Sequence, residues 1–117
     1  MNSNITVRIY FEHGRRVKGL TFRQKLFHSG FSYYMLKKAK LAEIKQAICF
    51  NISAGYLSTH KNIQWGHSEV TPIRHPQCIE LTDSEEKIYG FLKEYEEQLK
   101  DTEILIVKNE VNLFIYN

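Results

Sequence analysis

The chain holds only two cysteines, Cys49 and Cys78, too few and too far apart for a disulfide scaffold or a paired metal motif. Free thiols are therefore expected. No apolar run approaches the roughly 20 residues needed to cross a bilayer. The opening MNSNITVRIYFEHG also lacks a basic stretch followed by an apolar segment and a cleavage site, so a cytoplasmic location is expected. There is no G-x-S-x-G, Walker-type loop, H-E-x-x-H or C-x-x-C, and without such a motif a non-enzymatic role is expected.

What is present suits one small folded unit. A length of 117 residues matches a single domain, and an apolar content of 43% with seven Tyr, seven Phe and one Trp can fill its core. The net charge of +3 is unevenly spread: residues 1–75 sum to +9 and residues 76–117 to −6. Such asymmetry suits an anion, a nucleic acid or an acidic partner, or else the two parts neutralise one another in the folded chain.

Ile5, Val7, Ile9 and Phe11 alternate with Thr6, Arg8, Tyr10 and Glu12, which predicts a half-buried strand. A basic, glycine-bounded segment at 13–30 follows, with a short helical turn near Thr21 to Phe27. Phe31, Met35, Ala39 and Ala42 recur at helical spacing and predict a helix to about Glu43. Alternation returns over Gln46 to Ser53, with Ile48, Phe50 and Ile52 on one side and Ala47, Cys49 and Asn51 on the other.

Ala54 to Pro76 shows no sustained periodicity and reads as a long loop, the strongest functional lead, because loops of that length are uncommon unless they serve a role or are disordered. Cys78 to Thr82 predicts a third strand. Asp83 is positioned to cap a helix, with Glu86 completing a capping-box-like pair, and Ile88, Phe91, Leu92, Tyr95 and Leu99 form its apolar stripe. Glu103 to Lys108 and Val111 to Tyr116 read as two closing strands around Asn109-Glu110.

The expected class is α+β: a ferredoxin-like βαββαβ fold with an additional C-terminal strand, its antiparallel sheet carrying the helices on one face. Val7, Ile9, Phe11, Ile48, Phe50, Ile52, Ile79 and Leu81 are assigned to the helix side. Arg8, Tyr10, Cys49, Asn51, Cys78 and Glu80 are assigned to the other, whose mixed character suits burial in an oligomer, C3 symmetry among the options.

VRIYFE, then a helix, then QAICFNISAGY, a histidine-containing loop, HPQCIELTDSEEKIYGFLKEYEEQL and a closing NEVNLFIY together resemble the PII-like proteins of domain-of-unknown-function family 190. The resemblance covers roughly residues 5–12 and 31–116 and is strongest from Pro76 onward. It implies a ferredoxin-like subunit in a homo-oligomer, a trimer favoured, with a long loop projecting beside intersubunit clefts that commonly bind nucleotides in that superfamily. The family's small-aromatic-small turn corresponds to Gly55-Tyr56-Leu57, where Leu57 departs from the usual glycine and weakens phosphate wrapping. The segment 13–30 looks longer than the family's connection.

Within the loop, Lys61 and Arg74 suit a phosphate and Trp65 suits a base, with His60 beside them. Gly55, Tyr56, His60, Lys61, Trp65 and Arg74 thus form the candidate site for a small anionic ligand, possible nucleotide included. The alternative is a solvated loop whose Trp65 packs locally or against a neighbouring subunit. His60, His67 and His75 match no compact metal motif, so no metal is assigned and any cofactor stays unknown. His13 and His28 read as surface residues.

Arg15, Arg16, Lys18, Arg23 and Lys25 with Phe22 and Phe27 would suit RNA or DNA, but pairing with the acidic second helix is favoured. Cys49 and Cys78, expected on one face, read as inert packing before a redox pair. Three functions remain in order: a PII-like regulator acting on a protein target; a nucleic-acid binder or metal-dependent nuclease, with Glu12 ending the first strand; and a structural oligomer subunit.

Overall fold

The computed structural model describes residues 4–17, 30–66 and 72–108. The basic residues at 18, 23 and 25, the turn near 21–27, His28, His67 and the final strand at 111–116 lie outside them. The architecture is α+β, with a four-stranded antiparallel sheet and helices. Strand β1 (Asn4–Glu12) leads to helix α1 (Phe31–Leu41) and strand β2 (Gln46–Asn51). Two short strands follow, β3 (Ala54–Gly55) and β4 (Gln64–Trp65), before β5 (Pro76–Ser84). Helices α2 (Glu85–Glu94) and α3 (Glu96–Leu99) and strand β6 (Glu103–Val107) complete the described order.

The main sheet runs β2-β5-β1-β6, each neighbour antiparallel to the next. Val7 opposite Leu81 and Ile9 opposite Ile79 put the alternating apolar residues of β1 and β5 on one face. Phe31, Met35 and Ala39 of α1 and Ile88 and Phe91 of α2 are buried in the same core cluster, so both helices cover that face. The 3.6-residue period of each helix and the two-residue period of each strand thus meet in one core. Phe11 and Phe31 meet edge to face at 4.7 Å between ring centroids.

Strand β2 reverses the expected assignment. Ala47 pairs with Leu81 and Cys49 with Ile79, so the small residues face the helices, whereas Ile48 and Phe50 pair with Glu80 and Cys78 on the second face. Strict alternation fixes which residues share a face but not which face is inward, and a one-residue slip exchanges them all. The backbone N–H of Lys45 donates to the Asp83 carboxylate at 2.7 Å, pinning the start of this edge strand. Ile52 lies beyond the strand's end.

Two further boundaries differ. Ser84, not Asp83, is the residue preceding α2, and its hydroxyl accepts from the Lys87 N–H. Asp83 still belongs to β5, where its buried carboxylate accepts from Ser84 and Lys45 instead. The long connection between β2 and β5 is also not without structure, because Ala54 pairs with Trp65 and Gly55 with Gln64 in an antiparallel ribbon.

Candidate functional site

A cavity of about 450 Å³ opens where the end of β1, the turn at 57–60, the turn before β5 and the start of β6 converge. The N–H of Gly14 donates to Ile73 O at 2.7 Å, and that of His13 to His75 O at 2.8 Å, drawing the chain after β1 against the turn before β5. A side chain on residue 14 would begin 2.8 Å from Ile73 Cβ, so this approach requires glycine.

His60 lies behind the turn that forms the opposite wall. Its Nδ1 accepts the Leu57 N–H at 3.0 Å, so Nε2 carries the hydrogen donated to Glu12 Oε2 at 3.0 Å. The Ser58 N–H donates to Glu103 Oε1 at 2.8 Å, and the Ser58 hydroxyl bonds the same oxygen. The turn is therefore fastened to the end of β1 and the start of β6 by two carboxylates.

Arg15 is half-buried against the fold. Its guanidinium donates to Gln98 O at 2.8 Å and to Lys100 O, capping carbonyls at the end of α3, and sits 4.9 Å from the Phe31 ring centroid. Burial pulls its pKa below the ordinary arginine value. This residue belongs to the fold rather than to an exposed phosphate-binding stripe.

Of the six expected ligand residues, only Arg74 lines the cavity, beside Leu57, Ser58 and Thr59. His60 is buried behind the turn, with its side chain 3% exposed. Gly55 is half-buried in β3, whereas Tyr56, Lys61 and Trp65 are exposed along or near the ribbon. Sequence spacing within the loop could not reveal Glu12, Ser58 and Glu103 as its anchors, since the two acids stand on β1 and β6. The nearest signal was Glu12 at a strand end, which the sequence connected with a nuclease instead.

The cavity carries Glu12, Asp101 and Glu103 against Arg15 and Arg74. An anion bound here needs further cations, from a neighbouring subunit or from the ligand's own counterion. Among the described residues no group of three or more His, Cys, Asp or Glu is placed to hold a metal ion, and none of the helices is long and apolar enough to cross a membrane.

The cysteines lie on opposite sheet faces, contrary to the shared face expected from alternation, because β2 is reversed. Burial pushes the Cys78 thiol up to about 11, and Cys78 is itself buried; burial also raises Cys49, with Ser32 opposing it, but Cys49 is exposed. One thiol per native chain is expected to react with a disulfide reagent at pH 8, and two in denaturant. Rapid native reaction that persists in Cys49→Ser would refute this placement.

Compared with protein-family models and with curated proteins, the chain matches none. The assignment of function therefore rests on the architecture and on the groups it assembles.

Proposed function

We propose that the chain is a non-enzymatic PII-like subunit with a ferredoxin-like βαββαβ core, which associates into a homo-oligomer and binds a small anionic effector, a nucleotide being the leading class. The observation that carries this reading is the sheet order β2-β5-β1-β6, in which two strand–helix–strand units interleave and a long connection runs from β2 to β5 over the 450 Å³ cavity. Its effector lies between Arg74 and the exposed Lys61 and Trp65 of the same connection, with cations of a second subunit offsetting the acidic wall. Movement of that connection is then the signal passed to a protein target.

Association through the second sheet face is supported by its side chains. Arg8 Nε meets Glu80 Oε2 at 2.8 Å near the middle, and Ile48, Phe50 and Leu105 remain 39%, 42% and 48% exposed along the two edge strands. Apolar residues of this size around a central ion pair suit a subunit interface.

Light scattering is expected to give a three-chain mass, falling to one chain in the double variant Ile48→Glu, Phe50→Glu. A nucleotide panel read by thermal shift is expected to stabilise the native protein, since a ligand that binds only the folded state raises its apparent stability. The combined Lys61→Ala, Trp65→Ala and Arg74→Ala variant should lose that stabilisation, and retained binding would remove this site. A monomer indifferent to every nucleotide would refute the reading.

A further inference from the structure

Two half-buried carboxylates, Glu12 and Glu103, line the 450 Å³ cavity together with the exposed Arg74. Tyr10 pairs with Glu103 across β1 and β6, and Glu12 lies two residues further along β1. Both acids therefore stand on one sheet face in a diagonal relation, roughly 7–8 Å apart at the backbone and within reach of one small ligand. The turn at 57–60 holds each of them from one side. His60 Nε2 donates to Glu12 Oε2 at 3.0 Å, and Ser58 sends both its N–H and its hydroxyl to Glu103 Oε1.

A carboxylate offers about four acceptor sites. The turn uses one on Glu12 and two on Glu103, so both acids meet the cavity with acceptor capacity left. The Glu12 side chain is 42% exposed and open to a donor. Carboxylates repel a phosphate at this range but accept short, charge-assisted hydrogen bonds from hydroxyl groups. The same chemistry lets an acidic side chain hold a ribose hydroxyl in dinucleotide-binding folds. Leu57 and Ile73 add an apolar side for the carbons of a sugar, and the volume falls within the roughly 300–1,000 Å³ of small-molecule sites.

We infer that Glu12 and Glu103 bind the 2′- and 3′-hydroxyls of the effector's ribose, so that the site selects ribonucleotides over 2′,3′-dideoxynucleotides and over free polyphosphate. The inference rests on the nucleotide reading proposed above and gives the acidic side of the same cavity a task within it. The sugar lies between the two acids, and its phosphates point outward to the exposed Arg74 and Lys61. Carboxylates that would weaken a site for a bare anion instead read the neutral part of the ligand.

The test is isothermal titration calorimetry of the full chain with the four ribonucleoside triphosphates, with the 2′,3′-dideoxy counterpart of each and with inorganic triphosphate. Loss of both hydroxyls is expected to weaken the ribonucleotide that binds by at least about tenfold, because two donors to charged acceptors are removed. Inorganic triphosphate should bind more weakly than that ribonucleotide. Glu103→Gln keeps an oxygen to accept from Ser58 while removing the charge. It should weaken the ribonucleotide severalfold and leave the dideoxy form bound as well or better, since the phosphates then meet less repulsion.

A residue that only held the turn would weaken both forms equally. Should Glu103→Gln not fold, Glu12→Gln, which keeps an acceptor for His60, is read in the same way. Equal affinity of the ribose and dideoxy forms, triphosphate binding as tight as the nucleotide's, or proportional loss of both forms in the folded variant would overturn the inference and leave nucleotide binding standing. Binding of no nucleotide at all would overturn the nucleotide reading and this inference with it.

Discussion

Ile79→Ala is expected to cost about 4 kcal/mol of folding stability, the largest single effect among the substitutions considered. Ile79 is fully buried on the helix side of β5, between Ile9 of β1 and Cys49 of β2. Truncating it loses the transfer free energy of three carbons and leaves a cavity that two hydrogen-bonded neighbours prevent the sheet from closing. Against a total stability of roughly 5–15 kcal/mol, this should lower the urea midpoint markedly without changing the slope. Leu41→Ala, at the 76% exposed end of α1, should change stability by less than about 0.5 kcal/mol. Comparable losses at the two positions would contradict the core described here.

Asp83→Ala should remove about 2–3 kcal/mol at neutral pH, and the loss should shrink in acid. Its carboxylate accepts from the backbone of Lys45 at 2.7 Å and of Ser84 at 2.6 Å and meets Lys87 Nζ at 3.5 Å. Hydrogen bonds to a charged partner contribute about 1.5–3 kcal/mol, and an abandoned N–H adds to the cost of losing them. Burial alone raises the pKa of Asp83, but the N–H groups of Ser84 and Lys45 and the charges of Lys87 and Lys45 together outweigh it, and the folded value lies below the ordinary one.

The unfolded chain consequently binds the proton first as pH falls. Stability from Asp83 is complete above the unfolded pKa, near 4, and is lost as pH drops through the lower folded value. Urea unfolding at pH 7, 4 and 2.5 should therefore show the wild-type and variant curves converging toward acid. A constant gap across that range would show that the carboxylate's charge has no part in holding β2 to β5.

Glu12, Ser58 and Glu103 illustrate why the candidate site was harder to read than the fold. Glu12 and Glu103 are far apart in sequence and carry no shared motif, yet Tyr10 pairs with Glu103 across β1 and β6, bringing both acids to the same sheet end. His60 and Ser58 then turn toward them. Spacing rules find partners along one element. They do not find groups that meet only because separate strands have paired. Arg74, which belongs to the loop itself, lines the cavity, whereas both ring nitrogens of His60 are occupied by Leu57 and Glu12.

The sequence by itself determined the elements whose periodicity is unambiguous. Ile5, Val7, Ile9 and Phe11 require a half-buried strand, Phe31, Met35 and Ala39 a one-faced helix, and Ile88 and Phe91 the inner stripe of α2. Tertiary structure alone decided which way β2 faces. Ala47 and Cys49 alternate with Ile48 and Phe50 as regularly in either register, and hydrophobicity favours the larger pair inward. Pairing with β5, anchored by Asp83 at Lys45, fixes the opposite choice, because a strand's two-residue repeat carries no information about which side its neighbours will cover.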